Sequence, residues 1–581
     1  MGREDSHYRS DGTSGGASGQ PSAKPAAGRV PVPDAQLLRP QPAAPTSPAP
    51  TGAASGTPVP DPAEQTQNLT TGTGPEPGQG TTRAPERSTI PPAGAAPPAA
   101  APSRPSTRRR LPLVLAALLV LVLVAVGLVV VRPGPVDRWL GGPAATTAEP
   151  TAEPSPVAVL AATDIGAPLP STDGLRTVLG PLLADTALGG RVNLAVADAL
   201  TGQYLFDRGG GEGTVPASVT KLLTAVTVLT ARGPGYRIPT RVVAGAAPGE
   251  VVIVGAGDPT LAAEAKGFYP GAASLADLAT QVRTALGGVA PTRVLVDSSG
   301  YQGPVYGPGW DDDIPTGGYG GAITALMLDG ARKDPKAGSG WAERVPQPDL
   351  TAGRALARLF GLTDAAVRKG TAPEAPVEAT GAPGGTVEPG TELGVVESPP
   401  LIRLVDIMIS ESDNIVAEAL ARQVALARGA PASFAGAASA MADVVSELGL
   451  PGAGLILADG SGLSRKNRIS PALLTELLAL AASPDRPELG GIFGGLPVAG
   501  WSGTLRDRYG SAPGTAAGAG VVRAKTGTLT RVHAIAGVVM TAEGRLLTFA
   551  VLTDDVPPSG MEPARVALDR IAAALATCGC H

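Results

Sequence analysis

Histidine is nearly missing from this sequence, with 3 in 581 residues, and only His533 and the terminal His581 follow His7. A Ser-His-Asp triad would have to place His533 beside a nucleophile. It lies instead in a strand pattern, "VHAIAGVVMT", and reads as a packed or edge residue. Cysteine is equally scarce: Cys578 and Cys580 stand together in "TCGCH" at the C-terminal end. Outside the cytoplasm they could oxidise or pair with another chain, and the end is expected to be a mobile tail. With His581 they offer at most three metal ligands, so no metal site and no cofactor are expected. A dominant charge of one sign is also lacking. The net charge of −5 is mild and mixed, which sets nucleic acid aside as a partner. Finally, only 8 of the 46 basic residues are lysine. A buried Lys can release its proton and act as a base, whereas Arg cannot, so each Lys is informative.

Composition divides the chain into segments. Residues 1–110 are rich in Pro, Ala, Gly, Ser and Thr, with Tyr8 as their only aromatic. They cannot bury enough apolar surface to offset the entropy of ordering, which predicts a disordered tail. Residues 111–131, "LPLVLAALLVLVLVAVGLVVV", are 21 residues without a charge, long enough to cross a bilayer as a helix. The preceding "TRRR" (Thr107 to Arg110) places 1–110 on the cytoplasmic side and the rest outside it. No small-residue cleavage site follows closely, so a single-pass plasma-membrane anchor is expected. Residues 132–157 continue the Pro/Ala/Thr style as a linker.

From 158 the pattern is that of a globular unit. "RVNLAVADALTGQYLFDRG" reads as a hairpin, and "PASVTKLLTAVTVLTARG" as a helix apolar on nearly all faces and therefore buried. Residues 233–395 alternate strand-like runs with Gly/Pro turns around one capped helix, "SLADLATQVRTALGG". Residues 396–577 return to helical spacing and end in strand patterns and a last helix. The reading is α+β: a unit built from 158–232 and 396–577, split by a β-rich insertion that is expected to fold as its own lobe or lobes.

Three short motifs carry chemistry. Ser218 and Lys221 form S-x-x-K at the start of the buried helix, on one face. A serine needs a neighbouring base to become a nucleophile, and helix-start N–H groups can stabilise developing negative charge. Of the eight lysines, only Lys221 has Ser three positions earlier. Ser412-Asp413-Asn414 is the only S-x-N, and Lys525-Thr526-Gly527 the only K-[ST]-G. "GAGDPT" lacks the third glycine of a dinucleotide fingerprint and carries Pro259 at the helix start. The run Asp311 to Asp313 reads as a solvated surface rather than a cation site.

In this order the three motifs resemble the penicillin-binding and serine β-lactamase superfamily. "VGAGDPTL", "VDSSGY", "SESDNIVAEAL", "DGSGLSR", "LPVAGWSGTLRDR" and "KTGTL" are similar to the D-alanyl-D-alanine carboxypeptidase/endopeptidase family, the low-molecular-mass class C penicillin-binding proteins. The resemblance runs from about 160 to 575. Ser412 lies 194 residues after Ser218, room for extra domains, and no E-x-x-L-N element stands between Ser412 and Lys525. A β-lactamase is therefore the weaker enzyme reading.

The resemblance implies the penicillin-binding fold, acylation by β-lactams, and peptidoglycan stem peptides ending in D-Ala-D-Ala as substrate. It implies that Ser218 becomes acylated while Lys221 takes its proton, that Ser412 relays a proton to the leaving amine, and that Asn414 holds Lys221 and a substrate amide. Lys525 would lower the pKa of Lys221 by its charge and, with Thr526 and Thr528, receive the substrate carboxylate. Gly527 would permit close backbone approach, and the N–H groups of Ser218 and Thr528 would bind the oxyanion. Asp297 in "VDSSGY" is matched to a recogniser of the peptide's diamino acid. A non-catalytic peptide-binding or scaffold protein of the same fold is the competing class.

Overall fold

The computed structural model describes residues 166–336, 342–376, 387–558 and 560–580. The expected tail (1–110), membrane span (111–131) and linker (132–157) lie outside the described residues. Among the described residues no helix is long and apolar enough to cross a membrane.

Strands from distant parts of the chain share one sheet. β1 (Val192–Asp198) and β2 (Tyr204–Arg208) precede S-x-x-K; β8 (Arg523–Leu529), β9 (Val532–Met540) and β10 (Leu546–Thr553) follow S-D-N. Their order is β2-β1-β10-β9-β8, antiparallel throughout. The period of two assigns alternate side chains to opposite faces. On β10, Leu546, Ala550 and Leu552 enter one core, while Leu547, Phe549 and Val551 enter the other. Both faces are therefore covered, and β1, β9 and β10 are buried along nearly their whole length.

One face is packed by α1 (Thr172–Leu183) and α9 (Met561–Ala576), through Leu175, Leu179, Leu568 and Ile571. The other carries α2 (Thr220–Arg232), with α5 (Leu401–Ser410), α6 (Asn414–Ala427), α7 (Phe434–Glu447) and α8 (Pro471–Ala482) around it. Every residue of α2 from Thr220 to Leu229 is buried, as its all-round apolar pattern predicts. Each such Leu or Val contributes about 1.5–3 kcal/mol through burial. The one buried charge pair at the rim of β1 is satisfied: Arg545 donates from Nε to Asp198 Oδ1 at 2.8 Å and from Nη2 to Oδ2 at 2.7 Å.

The segment between α2 and α5 builds a second sheet, ordered β6-β5-β4-β3-β7. Its strands are β3 (Pro239–Ala244), β4 (Glu250–Gly255), β5 (Arg293–Asp297), β6 (Val367–Lys369) and β7 (Glu392–Glu397). β4, β5 and β6 run parallel, which requires crossovers; α3 (Leu275–Ala285) and α4 (Pro348–Leu359) supply them. Ser274 caps α3 by accepting from Asp277 N. The entering strand β3 pairs directly with the leaving strand β7. The insertion thus opens and closes at one place in the host. Two helices make it α/β in character where the strand-like runs suggested mostly β.

The C-terminal end differs from the mobile tail expected of it. Cys578 and Cys580 are disulfide-bonded to each other and buried against the α1/α9 core. Ser171 N donates to the Cys580 carbonyl, which fastens the end to the cap of α1. The apolar sulfur pair fills space that a frayed terminus would leave open to water.

Candidate active site

Ser218 sits on a single 3-10 turn, Ala217–Val219, that runs into α2. The residue before it, Ala217, is held at a φ of 47°, a left-handed conformation that costs a non-glycine residue on the order of 1 kcal/mol. Two contacts hold it there. Thr220 Oγ1 donates to the Ala217 carbonyl at 2.8 Å. Gly462 packs so closely that a Cβ on it would lie 1.9 Å from the same oxygen.

Lys221 is fully buried, and its Nζ has three partners: Ser218 Oγ at 3.0 Å, Asn414 Oδ1 at 2.6 Å and the Ser461 carbonyl at 2.6 Å. Asn414 Nδ2 donates to the Tyr319 carbonyl at 2.8 Å, so its Oδ1 faces Lys221. A neutral amine has two hydrogens and one lone pair. With two of its partners able only to accept, the third direction, toward Ser218 Oγ, is the one left for the lone pair. The arrangement is that of a base aimed at a hydroxyl.

The S-D-N turn joins α5 to α6. Ser412 has a φ of 58°, and Asp413 caps α6 by accepting from Ile415 N and Val416 N. The remaining oxygen of Asp413 accepts from Tyr269 Oη, a residue of the insertion, at 2.7 Å.

β8 is the edge strand of its sheet and carries Lys525, Thr526, Gly527 and Thr528. Ala524 N donates outward, to the Pro497 carbonyl. By alternation the N–H groups of Thr526 and Thr528 also face the edge, and Thr528 is exposed. Gly527 is required here. A Cβ on it would lie 2.7 Å from the Pro216 carbonyl oxygen and 3.0 Å from Ser218 N. The edge strand and the nucleophile turn are thus in backbone contact. Lys525 Nζ donates to the Thr526 carbonyl at 2.8 Å, and Thr526 Oγ1 hydrogen-bonds Thr504 Oγ1 at 2.9 Å.

Burial lowers the Lys221 pKa to about 8, against the opposing pull of Asp459, Glu418 and Asp413. Lys525 is held well below its ordinary value, first by burial and then by the charges of Lys221 and Arg508. The sequence expectation made Lys525 the cause of the Lys221 shift. Desolvation is the larger effect at both amines, and the charge of Lys221 is a further cause at Lys525.

Six of the expected residues, Ser218, Lys221, Asn414, Lys525, Gly527 and Ser412, lie on two turns, two helix starts and one edge strand that meet here, with Thr526 and Thr528 along the same edge. Asp297 is placed elsewhere. It ends β5, accepts from Ser299 N, Ser299 Oγ and Ala372 N, and lines a cavity of about 480 Å3 with Asp349 and Lys369. Among the described residues no hydrogen bond ties it to the three motifs. His533 is buried on β9 and pushed down to about 4 by desolvation, in keeping with a packed residue. Asp311 is not a freely solvated charge: Arg465 clamps it at 2.6 and 2.7 Å.

Other site residues escaped the sequence reading. Ser461 lies in "DGSGLSR", a phrase that signalled family but no role. Its loop is knotted by Asp459, which accepts from Gly462 N, Ser464 N, Asn467 Nδ2 and Trp310 Nε1. Glu418 is a lone acid on the buried face of α6, inside "SESDNIVAEAL", another phrase that signalled family but no role. Thr504 likewise lies in "LPVAGWSGTLRDR", with no role attached.

The D-Ala-D-Ala carboxypeptidase 3 (S13) family matches residues 175–367 and 337–575. The carboxypeptidase DacB of Mycolicibacterium smegmatis is 40% identical over 434 residues, 74% of this chain and 89% of that one. A D-alanyl-D-alanine carboxypeptidase of an Actinomadura strain is 31% identical over 481 residues, covering 70% and 85%. Among solved structures, penicillin binding protein 4 of Haemophilus influenzae aligns with a TM-score of 0.55 at 21% identity, over 70% of this chain and 99% of the other. That likeness supports the mixed α/β penicillin-binding fold.

Proposed function

This chain belongs to the D-Ala-D-Ala carboxypeptidase 3 (S13) family, and from that premise we propose that it is a serine-type D-Ala-D-Ala carboxypeptidase trimming peptidoglycan stem peptides through an acyl-enzyme. The observation that carries the serine mechanism is the Lys221 amine, 3.0 Å from Ser218 Oγ with its other two bonds on acceptors.

The proposed steps use that arrangement as follows. Ser218 Oγ attacks the carbonyl between the two D-alanines as its proton passes to Lys221. The oxyanion is received by the N–H groups of Ser218 and Thr528, one on the turn and one on the open edge of β8. The proton held by Lys221 then returns through Ser412 to the leaving amine as the C–N bond breaks. The terminal carboxylate lies toward Lys525 and the hydroxyls of Thr526 and Thr528. D-alanine departs, and water then releases the shortened peptide from Ser218. β-Lactams enter the same path and stop at the acyl-enzyme. Cleavage of cross-links, an endopeptidase activity, is part of the proposal, as is anchoring of the unit outside the cytoplasmic membrane by residues 111–131.

Incubation with a D-Ala-D-Ala peptide tests the reading: free D-alanine should appear with the wild type and not with Ser218→Ala. A fluorescent penicillin should label the first and not the second. Absence of both signals from the wild type would point to a non-catalytic peptide binder, and rapid hydrolysis of the penicillin to a β-lactamase.

A further inference from the structure

Behind Lys221 lies a charged group that the steps above do not use. Glu418, on α6, is buried with 1% exposure. Its Oε1 accepts from Ser461 N at 2.8 Å and Gly460 N at 3.1 Å. The Gly460 carbonyl in turn accepts from Thr224 Oγ1, on α2, at 2.6 Å. The Gly460–Ser461 peptide, one unit before the carbonyl that receives Lys221, is therefore fixed from both sides, while Asp459 holds Gly462 N, the N–H of the receiving peptide itself. Glu418 Oε2 accepts from Arg422 Nη1 at 3.2 Å. Arg422 is equally buried, and its guanidinium lies 4.1 Å from the Phe434 ring and 5.3 Å from the Tyr301 ring. Glu418 is its one anionic partner among the described residues.

We propose that Glu418 is a positioning residue for acylation: by holding the N–H groups of Gly460 and Ser461 it places the Ser461 carbonyl that, together with Asn414 Oδ1, takes both hydrogens of the Lys221 amine and leaves the lone pair toward Ser218. Asp459 anchors the loop on the Gly462 side and Glu418 on the Gly460 side; with one side released the carbonyl can shift, and a misplacement of about an ångström costs about 10²-fold in rate. The inference rests on the reading of Lys221 as the base.

Glu418 acts in two separable ways. By geometry it fixes the loop. By charge it opposes the loss of the Lys221 proton, as do Asp459 and Asp413, the other carboxylates facing that amine; Arg422 faces Glu418, and Lys525 faces Lys221. Removing the negative charge while keeping the acceptor should make Lys221 easier to deprotonate.

The test is the pH profile of acylation by a fluorescent penicillin. Glu418→Gln keeps the acceptor and loses the charge. The acid limb should move down by roughly 0.5–1 pH unit, with the plateau within about threefold of wild type. Glu418→Asp keeps the charge but withdraws the carboxylate by one methylene. The limb should stay in place while the plateau falls about tenfold or more. If Glu418→Gln misfolds because Arg422 is left uncompensated, Glu418→Gln combined with Arg422→Met removes that charge and should show the same limb shift. A merely structural role predicts lowered plateaus and an unmoved limb in both single variants, and that result would overturn the proposal, as would two wild-type profiles. No acylation of the wild type at any pH would instead overturn the base reading, and this inference with it.

Discussion

Tyr269 Oη donates to Asp413 Oδ2 at 2.7 Å, joining the insertion to the middle residue of the S-D-N turn. The insertion carries none of the three motifs, which alone would make it dispensable to the chemistry at Ser218. The bond argues otherwise, since the same carboxylate caps α6 and sets where Ser412 and Asn414 stand. Tyr269→Phe removes only the hydroxyl from a buried bond to a charged group, worth about 1.5–3 kcal/mol. The melting temperature should drop, and acylation and peptide turnover should fall in the same proportion. Unchanged unfolding and unchanged rates would show the bond to be incidental.

Gly527→Ala should be severe. The added methyl meets the Pro216 carbonyl and Ser218 N, both backbone groups that cannot swing away. β8 must shift from the nucleophile turn, so penicillin acylation should fall at least about a hundredfold. Near-normal acylation would mean that strand and turn can separate without loss.

Lys221→Arg should acylate as poorly as Lys221→Ala, because Arg retains the charge and cannot give up the proton. On the base reading the free amine is the active form, and burial lowers its pKa to about 8. The acylation rate should therefore rise with pH through about 8 and level off above it. A rate that is flat from pH 6 to 9, or an active Lys221→Arg, would remove Lys221 from the base role.

Asp297 probes substrate choice. We expect Asp297→Ala to reduce turnover of peptides bearing a free side-chain amine by roughly ten- to a hundredfold, with penicillin acylation nearly unchanged. Its carboxylate also secures a turn through Ser299 and Ala372. Equal losses for both substrates would show that the turn is all it supports.

The three motifs were legible because each pairs a rare residue with a fixed local spacing, and a rare residue stands out in a chain with 8 lysines. The α2 pattern announced its own burial, and short apolar runs bounded by turn residues located β9 and β10. What stayed hidden was long-range. Ser461 reaches Lys221 across 240 residues through a backbone carbonyl, which every residue owns. The source of the Lys221 shift was hidden as well, since desolvation depends on how many groups finally surround the amine. The fate of the C-terminal cysteines turned on a core formed by α1 and α9, hundreds of residues apart.

The pairing of β1 with β10 also governs when the protein can become active. Val192 and Thr553 are register partners across 361 residues, and contacts so distant close slowly. As the chain leaves the ribosome, Ser218 and Lys221 emerge early, but the strand that carries Lys525 and the strands that tie it to β1 arrive last. The insertion, whose own strands pair within itself, can form while the host sheet waits. A chain cut short before β10 would carry every motif and still lack the sheet that brings them together, so an incomplete product is an unarmed one.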